Sequence, residues 1–492
     1  MRARQVRRAT ALVAGAVALV LTAAGCSEGS DAEPGAGSRS TTSAPAVPHH
    51  LTFGVYGPPS ELRAFRATVA DWNAQGREQG QQPSGEQSGD QSQEPDQAQA
   101  QARPRIRMRT WESDAAMRRA LAAGAPVPDV FLASRSDLRW LLDHHVTQPV
   151  DQLLDDRGVD FGDGYSRDAI QAFSTDDRLQ CMPYGLSPMV VYYNTQLVDF
   201  DRMRRRGLDT PDPENPSWTF DQFATAARFA SRRAGGGAGV QVPATLDGLS
   251  PFIASGGGAV WNDGTQPTSL SLSSDDSRAA LERTLALLRA PGITLTPAQL
   301  ARATPLQWFE RGRLGMITGF RDLVPQLRMT PGLSFDVMPM PALGSNSSTV
   351  GDVSGLCLSR QAASTPLAAD FMVHEVAPGS EAKVSRTGYL YPANLQVGLT
   401  NDFLQPGRRP ETAEVFNSAV RTMQLPPLID DRSRLEQAIA PYLHELVYGA
   451  GALDLDGLTA RIDARSRAIL DPGTLSPSGS PSDGDSQTPS AG

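Results

Sequence analysis

The chain has 492 residues, 40% of them hydrophobic and 20% charged, and a formal net charge of -9. A chain of this length and composition buries a sizeable core spread over more than one lobe. Its acidic balance argues against nucleic acid or an anionic membrane surface as partner.

Met1 to Arg8 is basic, Ala11 to Leu21 is apolar, and Thr22-Ala23-Ala24-Gly25-Cys26 follows. So short an apolar run, ending in small residues, predicts a secretory signal over 1–25 rather than a membrane span. The residues before Cys26 resemble the lipobox of bacterial lipoproteins, with Ala23 where leucine is usual. The resemblance implies that Cys26 is acylated, becomes the mature N-terminus and tethers the protein to the outer face of the cell membrane. Residues 26–50 are rich in Ser, Thr, Gly, Ala and Pro, which suits a flexible spacer. No later stretch is long and apolar enough to cross a bilayer.

The folded part is expected to open as a strand at Leu51 to Tyr56, broken by Gly57-Pro58-Pro59. Ser60 stands ready to cap a helix whose apolar face is Leu62, Phe65, Val69 and Trp72. Residues 76–102 carry almost nothing apolar, so burial cannot repay their ordering entropy, and a disordered insert is expected. A strand at Ile106 to Trp111, a helix at Asp114 to Ala123 and a strand at Asp129 to Ala133 resume the pattern. Strands alternating with helices at this pitch argue for α/β lobes with largely parallel sheets. Thr219 to Gln222 fits a capping box that opens a helix through Arg232, and Leu281, Leu285 and Leu288 mark another helical face. Leu314 to Thr318 reads as a buried strand, and Thr365-Pro366 as an N-cap with proline at the first helical position. From Pro410 to about Leu470 the pattern is helical throughout, and 471–492 reads as a disordered tail.

The motifs of catalysis are scarce. Six histidines form no HExxH or cysteine-histidine ligand grouping, so no metal and no cofactor is expected. There is no GxSxG elbow, GxGxxG turn or Walker loop. Two of the many acids meeting in space as a glycosidase pair stays open at this level, but the expectation is that the chain is not an enzyme.

Several segments resemble the bacterial extracellular solute-binding proteins that serve sugar importers. Leu51 to Tyr56 is similar to the family's opening strand, which usually ends in tryptophan. Leu121-Ala122-Ala123-Gly124 with Pro128-Asp129-Val130 resembles its "aaGxxPDv" segment. Met182 to Pro188, running into Val191 to Asn194, resembles its first lobe-crossing segment. Ser217-Trp218-Thr219-Phe220-Asp221, Ser255-Gly256-Gly257 and Phe309 to Gly319 resemble further family segments in the right order. The resemblance implies a two-lobed α/β binding-protein fold of type II with an interlobe ligand cleft and C-terminal helices. Lobe 1 would take 51–183 plus 352–390, and lobe 2 would take 186–349 plus 391–470. The implied function is a monomeric receptor delivering a small ligand, a carbohydrate foremost, to the permease subunits of an ABC importer. The alternative is a tethered sensory or cell-wall interaction protein on the same fold.

For a sugar, the cleft needs aromatic faces and planar polar groups. Segments resembling the family's cleft loops offer Tyr56, Tyr184, Trp261 and Phe320 as faces, with Tyr389 or Tyr391 near a third crossing. Arg321, Asp322 and Asp352 would supply hydrogen bonds. Arg321 replaces an aromatic residue common in the family, which keeps an acidic or carbonyl-bearing ligand as the second choice. Cys181 and Cys357 each lie beside a segment resembling a lobe-crossing strand, so a disulfide between them is one reading and two buried free thiols the other.

Overall fold

The computed structural model describes residues 50–79, 103–162 and 164–475. The leader, the spacer, residues 80–102 and the tail beyond 475 lie outside the described residues, so the expectations for them are not addressed by the fold.

Two sheets organise the chain, each the floor of one lobe. The first runs in the order Tyr391–Pro392, Cys181–Pro188, Thr349–Ser359, Val130–Ser134, His50–Tyr56, Arg105–Trp111. The last three strands are parallel to one another, whereas Thr349–Ser359 runs antiparallel to both of its long neighbours. Val130–Ser134 is buried at all five positions, as a central strand covered on both faces must be. The second sheet runs Phe335–Met338, Val190–Asn194, Leu314–Gly319, Ala238–Gln241. Its period-2 alternation divides the interior: Val190 and Tyr192 join one buried cluster and Val191 the other. The first cluster continues from lobe 1 through Phe403, Val415 and Phe416 onto one face of the second sheet. The second fills the other face and takes in Leu435, Leu443, Leu458 and Ile462 of the two C-terminal helices, Arg432–Tyr448 and Leu455–Leu470.

Local signals explain most of these elements. Thr219 and Gln222 form a reciprocal capping box on helix Phe220–Ser231. Helix Asp114–Ala122 stops because Gly124 takes φ +88°, the left-handed conformation that glycine adopts at no steric cost. Asp129, the acid of the Pro-Asp-Val segment, is a structural tie. Its carboxylate accepts from the Thr52 amide (2.7 Å), the Thr52 hydroxyl (2.6 Å) and the Ala363 amide (2.7 Å).

Five expectations shift. The sheets are mixed rather than largely parallel, since Val190–Asn194 pairs antiparallel with both of its neighbours and Thr349–Ser359 with both of its long ones. The first helix spans Pro59–Gln79, so it continues into the segment read as insert, and Ser60 lies inside its first turn. The cap of Thr365–Val376 is Ser364, one residue earlier than expected. Residues 410–470 are not helical throughout: between Val415–Val420 and Arg432–Tyr448 the chain runs as a short strand, Met423–Gln424, and a bend. Pro426-Pro427 removes two helix-forming amides there. Finally, residues from 391 do not all belong to lobe 2, because Tyr391–Pro392 is an edge strand of the first sheet.

Candidate functional site

Two extended segments pass between the lobes side by side. Cys181–Pro188 leaves the first sheet, crosses at Met189 and enters the second sheet as Val190–Asn194; Thr349–Ser359 returns. They remain paired through the crossing: the Met189 amide donates to the Val350 carbonyl (2.9 Å) and the Thr349 hydroxyl to the Met189 carbonyl (2.6 Å). Gly351 stands where a β-carbon would lie 2.2 Å from the Met423 sulfur, so the Met423–Gln424 strand passes this crossing only over a glycine.

At this crossing lies a cavity of about 210 Å³ bounded by Arg135 and Asp352 from lobe 1, Asp247 and Phe320 from lobe 2, and Pro426 and Arg432 from the C-terminal segment. Each wall has an identifiable support. Phe320 follows the strand Leu314–Gly319, and its carbonyl accepts from the Tyr192 hydroxyl at 2.6 Å. Asp352 accepts from the Ser134 hydroxyl at 2.6 Å. Arg135 donates to the carbonyls of Ala172 (3.1 Å) and Pro426 (2.6 Å), which fastens the bend to lobe 1. Arg432 donates to Asp247 and Glu436, both at 2.7 Å.

The charges are tuned by that packing. Burial pushes the Asp352 carboxyl up to about 6, against the Ser134 hydrogen bond and Arg135, which favour its anion. Burial lowers the Arg135 guanidinium, and Asp352 partly restores it. Burial also disfavours charge on Arg432, but Asp247 and Glu436 outweigh it and hold the guanidinium above its ordinary value. The cavity therefore offers anionic acceptors, fixed cationic donors and one aromatic face.

A neighbouring cavity of about 320 Å³ shares Asp247, Val350 and Pro426 with the first and adds Ser250 and Trp261. Trp261 is half-buried and its backbone bridges to Leu270. Asn262 stiffens the loop by accepting from the amides of Thr268 and Ser269, both at 3.0 Å.

Of the residues singled out in the sequence, Phe320, Asp352 and Trp261 line these cavities. Tyr56 is half-buried nearby; burial first, then Asp114, Asp352, Glu61 and Asp137, push its hydroxyl well up. Asp322 is exposed at the N-cap of helix Leu323–Met329. It is the charge that adds to burial in raising Glu61 of lobe 1 to about 8. Tyr389 accepts from the Ser60 hydroxyl at 2.9 Å and lines neither cavity.

Two assignments are corrected. Tyr184 has no exposed surface and packs against Phe65 inside lobe 1, because its side chain leaves the crossing strand on the core side. Arg321 also has none: its guanidinium lies 3.9 Å from the Phe403 ring centre and 4.8 Å from that of Phe416. Neither lines a cleft cavity. Tyr391 is likewise buried, edge-on to Phe403. Arg135, Asp247, Pro426 and Arg432 were missed, since nothing in their local sequence marks a cleft. Pro426-Pro427 alone carried a signal, as a break in a helical stretch.

The fold matches known two-lobed proteins. An ABC substrate-binding protein from Listeria monocytogenes, in complex with cycloalternan, superposes with TM-score 0.66 at 16% identity, covering 86% of this chain and 98% of that one. The cyclic alpha-maltosyl-1,6-maltose binding protein from Arthrobacter globiformis gives 0.64 at 17%, covering 87% and 100%. The GacH receptor of Streptomyces glaucescens, solved unliganded and with acarbose, gives 0.64 at 13%, covering 86% and 98%. These likenesses establish the maltose-binding type of two-lobed fold. No curated protein sequence matches the chain. The profile of the family described as bacterial extracellular solute-binding protein does match, over residues 105–410. More than half of the sequence thus carries that family's pattern on that family's fold, and the chain belongs to the bacterial extracellular solute-binding proteins.

Proposed function

We propose that the mature protein is a lipid-tethered receptor that captures a carbohydrate between its lobes and delivers it to an ABC importer. The observation that carries this reading is the cavity at the lobe crossing, walled by both lobes, together with the adjoining one on the lobe 2 side. Phe320 and Trp261 offer faces for sugar C–H groups, and Asp247, Asp352 and Arg432 offer hydrogen bonds to hydroxyls. The cycloalternan and acarbose complexes of proteins with a similar fold support the ligand class. A ligand engaging both lobes favours the closed state, which a permease can sense without reading ligand chemistry. Cys26 is the tether on this reading.

Calorimetric titration with linear and cyclic maltooligosaccharides and acarbose tests the receptor. At least one should bind, and Trp261→Ala should weaken it about tenfold or more, ~1.4 kcal/mol. Unchanged affinity in both Trp261→Ala and Asp352→Ala, with folding intact, would rule out this cleft. Cys26→Ala should release the protein from the membrane to the medium, because stable anchoring takes more than one acyl chain on that residue. A variant that still sediments with membrane would place the tether elsewhere.

A further inference from the structure

Helix Leu323–Met329 leads from the cleft to a separate concavity of about 430 Å³, walled in part by Arg328, Met329, Thr387, Arg408 and Arg409. It shares no lining residue with the cleft cavities. Three guanidinium groups converge there in a chain of net charge -9, so the concentration is not a by-product of a basic surface.

Arg409 is accounted for: it lies 3.6 Å from Glu411 and donates to the Phe335 carbonyl at 3.2 Å. Arg328 and Arg408 are not. Among the described residues neither has a carboxylate within ion-pair distance. Instead they converge on one neutral acceptor. The Gln405 side-chain oxygen receives Arg328 Nη1 at 2.5 Å and Arg408 Nη1 at 3.4 Å.

That oxygen is fixed. Gln405 is buried, its backbone is left-handed at φ 49°, and its amide nitrogen donates to the carbonyls of Arg386 (2.8 Å) and Asp402 (3.1 Å). Arg328 Nε is held by the Arg409 carbonyl, while its Nη2 is shielded from solvent with no partner among the described residues. An unmade hydrogen bond on a buried charged donor is costly, and so are like charges sharing one acceptor. Burial, and next Arg408, lower the Arg328 guanidinium to about 10. Two guanidinium charges thus face one neutral oxygen, with no carboxylate among the described residues to balance them.

We propose that this pocket binds a small tetrahedral oxyanion, of the phosphate or sulfate class, bridging Arg328 and Arg408. Rigid guanidinium forks match such oxygens in pairs. Arg328 is pre-positioned by Gln405 and the Arg409 carbonyl, and exposed Arg408 lies on the solvent side.

The test is thermal unfolding of the sugar-free mature protein in chloride, inorganic phosphate and sulfate at matched ionic strength. Wild type should show a saturable rise in midpoint with phosphate or sulfate, and whichever saturates at lower concentration is the better-fitting anion. Arg328→Gln with Arg408→Gln should weaken that response about tenfold or more. Exposed Arg408→Gln alone is the variant expected to fold normally, and it has a signature that salting-out lacks. In chloride it should unfold at a higher temperature than wild type, because a repulsion is gone; in saturating phosphate it should unfold at a lower one. Non-saturating responses that are equal in wild type and Arg408→Gln would reflect general exclusion of these anions from protein surface and would overturn the proposal.

Discussion

At residues 319–322 the chain leaves the second sheet, and consecutive side chains meet different surroundings. Phe320 bounds the cleft cavity, Arg321 is sealed between Phe403 and Phe416, and Asp322 is exposed at the start of the next helix, where partial desolvation still pushes its carboxyl up. Among the described residues only one guanidinium nitrogen of Arg321 is satisfied, by the Phe403 carbonyl at 3.1 Å; Nε and Nη1 have no partner there. Burial accordingly lowers it to about 9, with Tyr192 and Tyr391 opposing and Arg328 reinforcing the shift. Its stem and planar head fill space in the joint between lobes, whereas its charge is a cost. Arg321→Ala should therefore destabilise by about 3 kcal/mol through the space left behind. Arg321→Met, of similar length and uncharged, should lose distinctly less. Urea unfolding of the two variants measures both, and ligand affinity per folded molecule should stay unchanged. A methionine variant no more stable than the alanine variant would mean that the cation is not the costly part.

Among elements, those with signals in adjacent residues were legible and those made by distant packing were not. Thr219 and Gln222 lie three residues apart, so a capping box can be read directly; the strand at Leu314–Gly319 carries Leu314, Met316 and Ile317 in a short run without a charge. Phe320, Trp261 and Asp352 were found because their segments resemble those of a known family. Asp247 and Arg432 face each other across 185 residues, and no spacing rule marks such a pair. Tyr184 was misplaced because it follows the same cleft-like motif on a strand whose alternate side chains face the core. The cysteines show the same dependence on register. Cys181 and Cys357 are direct partners across the crossing strands and are joined as a disulfide with a sequence separation of 176. That bond ties the outgoing crossing strand to the returning one on the lobe 1 side, closing the stretch that holds all four strands of the second sheet into a loop. Replacing both cysteines with alanine should cost about 2–5 kcal/mol by denaturant unfolding. A double variant as stable as wild type would show that the sheet alone holds this register.

Across the whole molecule the acidic surplus is unevenly placed, since three glutamates are buried in lobe 1 without a cation as first partner. Glu375 and Glu381 have no exposed surface, and Glu61 is 8% exposed. Glu375 accepts from the Thr68 hydroxyl at 2.9 Å and Glu381 from the Asn394 amide at 3.1 Å, leaving one oxygen of each unpartnered. Burial raises all three carboxyls from 4.5 to about 8. Asp71 adds to the shift at Glu375 while Lys383 opposes it, and Asp322 adds at Glu61. At neutral pH the folded protein thus holds protons that the unfolded chain has released. Below about 4.5 both states are protonated and the full contribution to stability is present. As pH rises from about 4.5 to 8 the unfolded chain ionises first, so stability falls, by at most about 1.4 kcal/mol per unit for each group. Above about 8 the folded state ionises too and the slope ends. Asp352, raised to about 6, acts in the same direction over a narrower window. His374, lowered from 6.5 by burial, acts oppositely just below that value, as one group against four; Asp402, held low by its Arg386 hydrogen bond, also acts oppositely, but below the ordinary aspartate value of 3.8 and so outside this range. Unfolding free energy measured from pH 5 to 8 should therefore decline. Glu375→Gln and Glu381→Gln together should flatten that decline while leaving stability at pH 5 nearly unchanged, because an amide replaces a carboxyl that is already neutral. If the double variant keeps the wild-type slope, these two acids are ionised in the folded protein, and lobe 1 tolerates buried anions that its packing gives no means to stabilise.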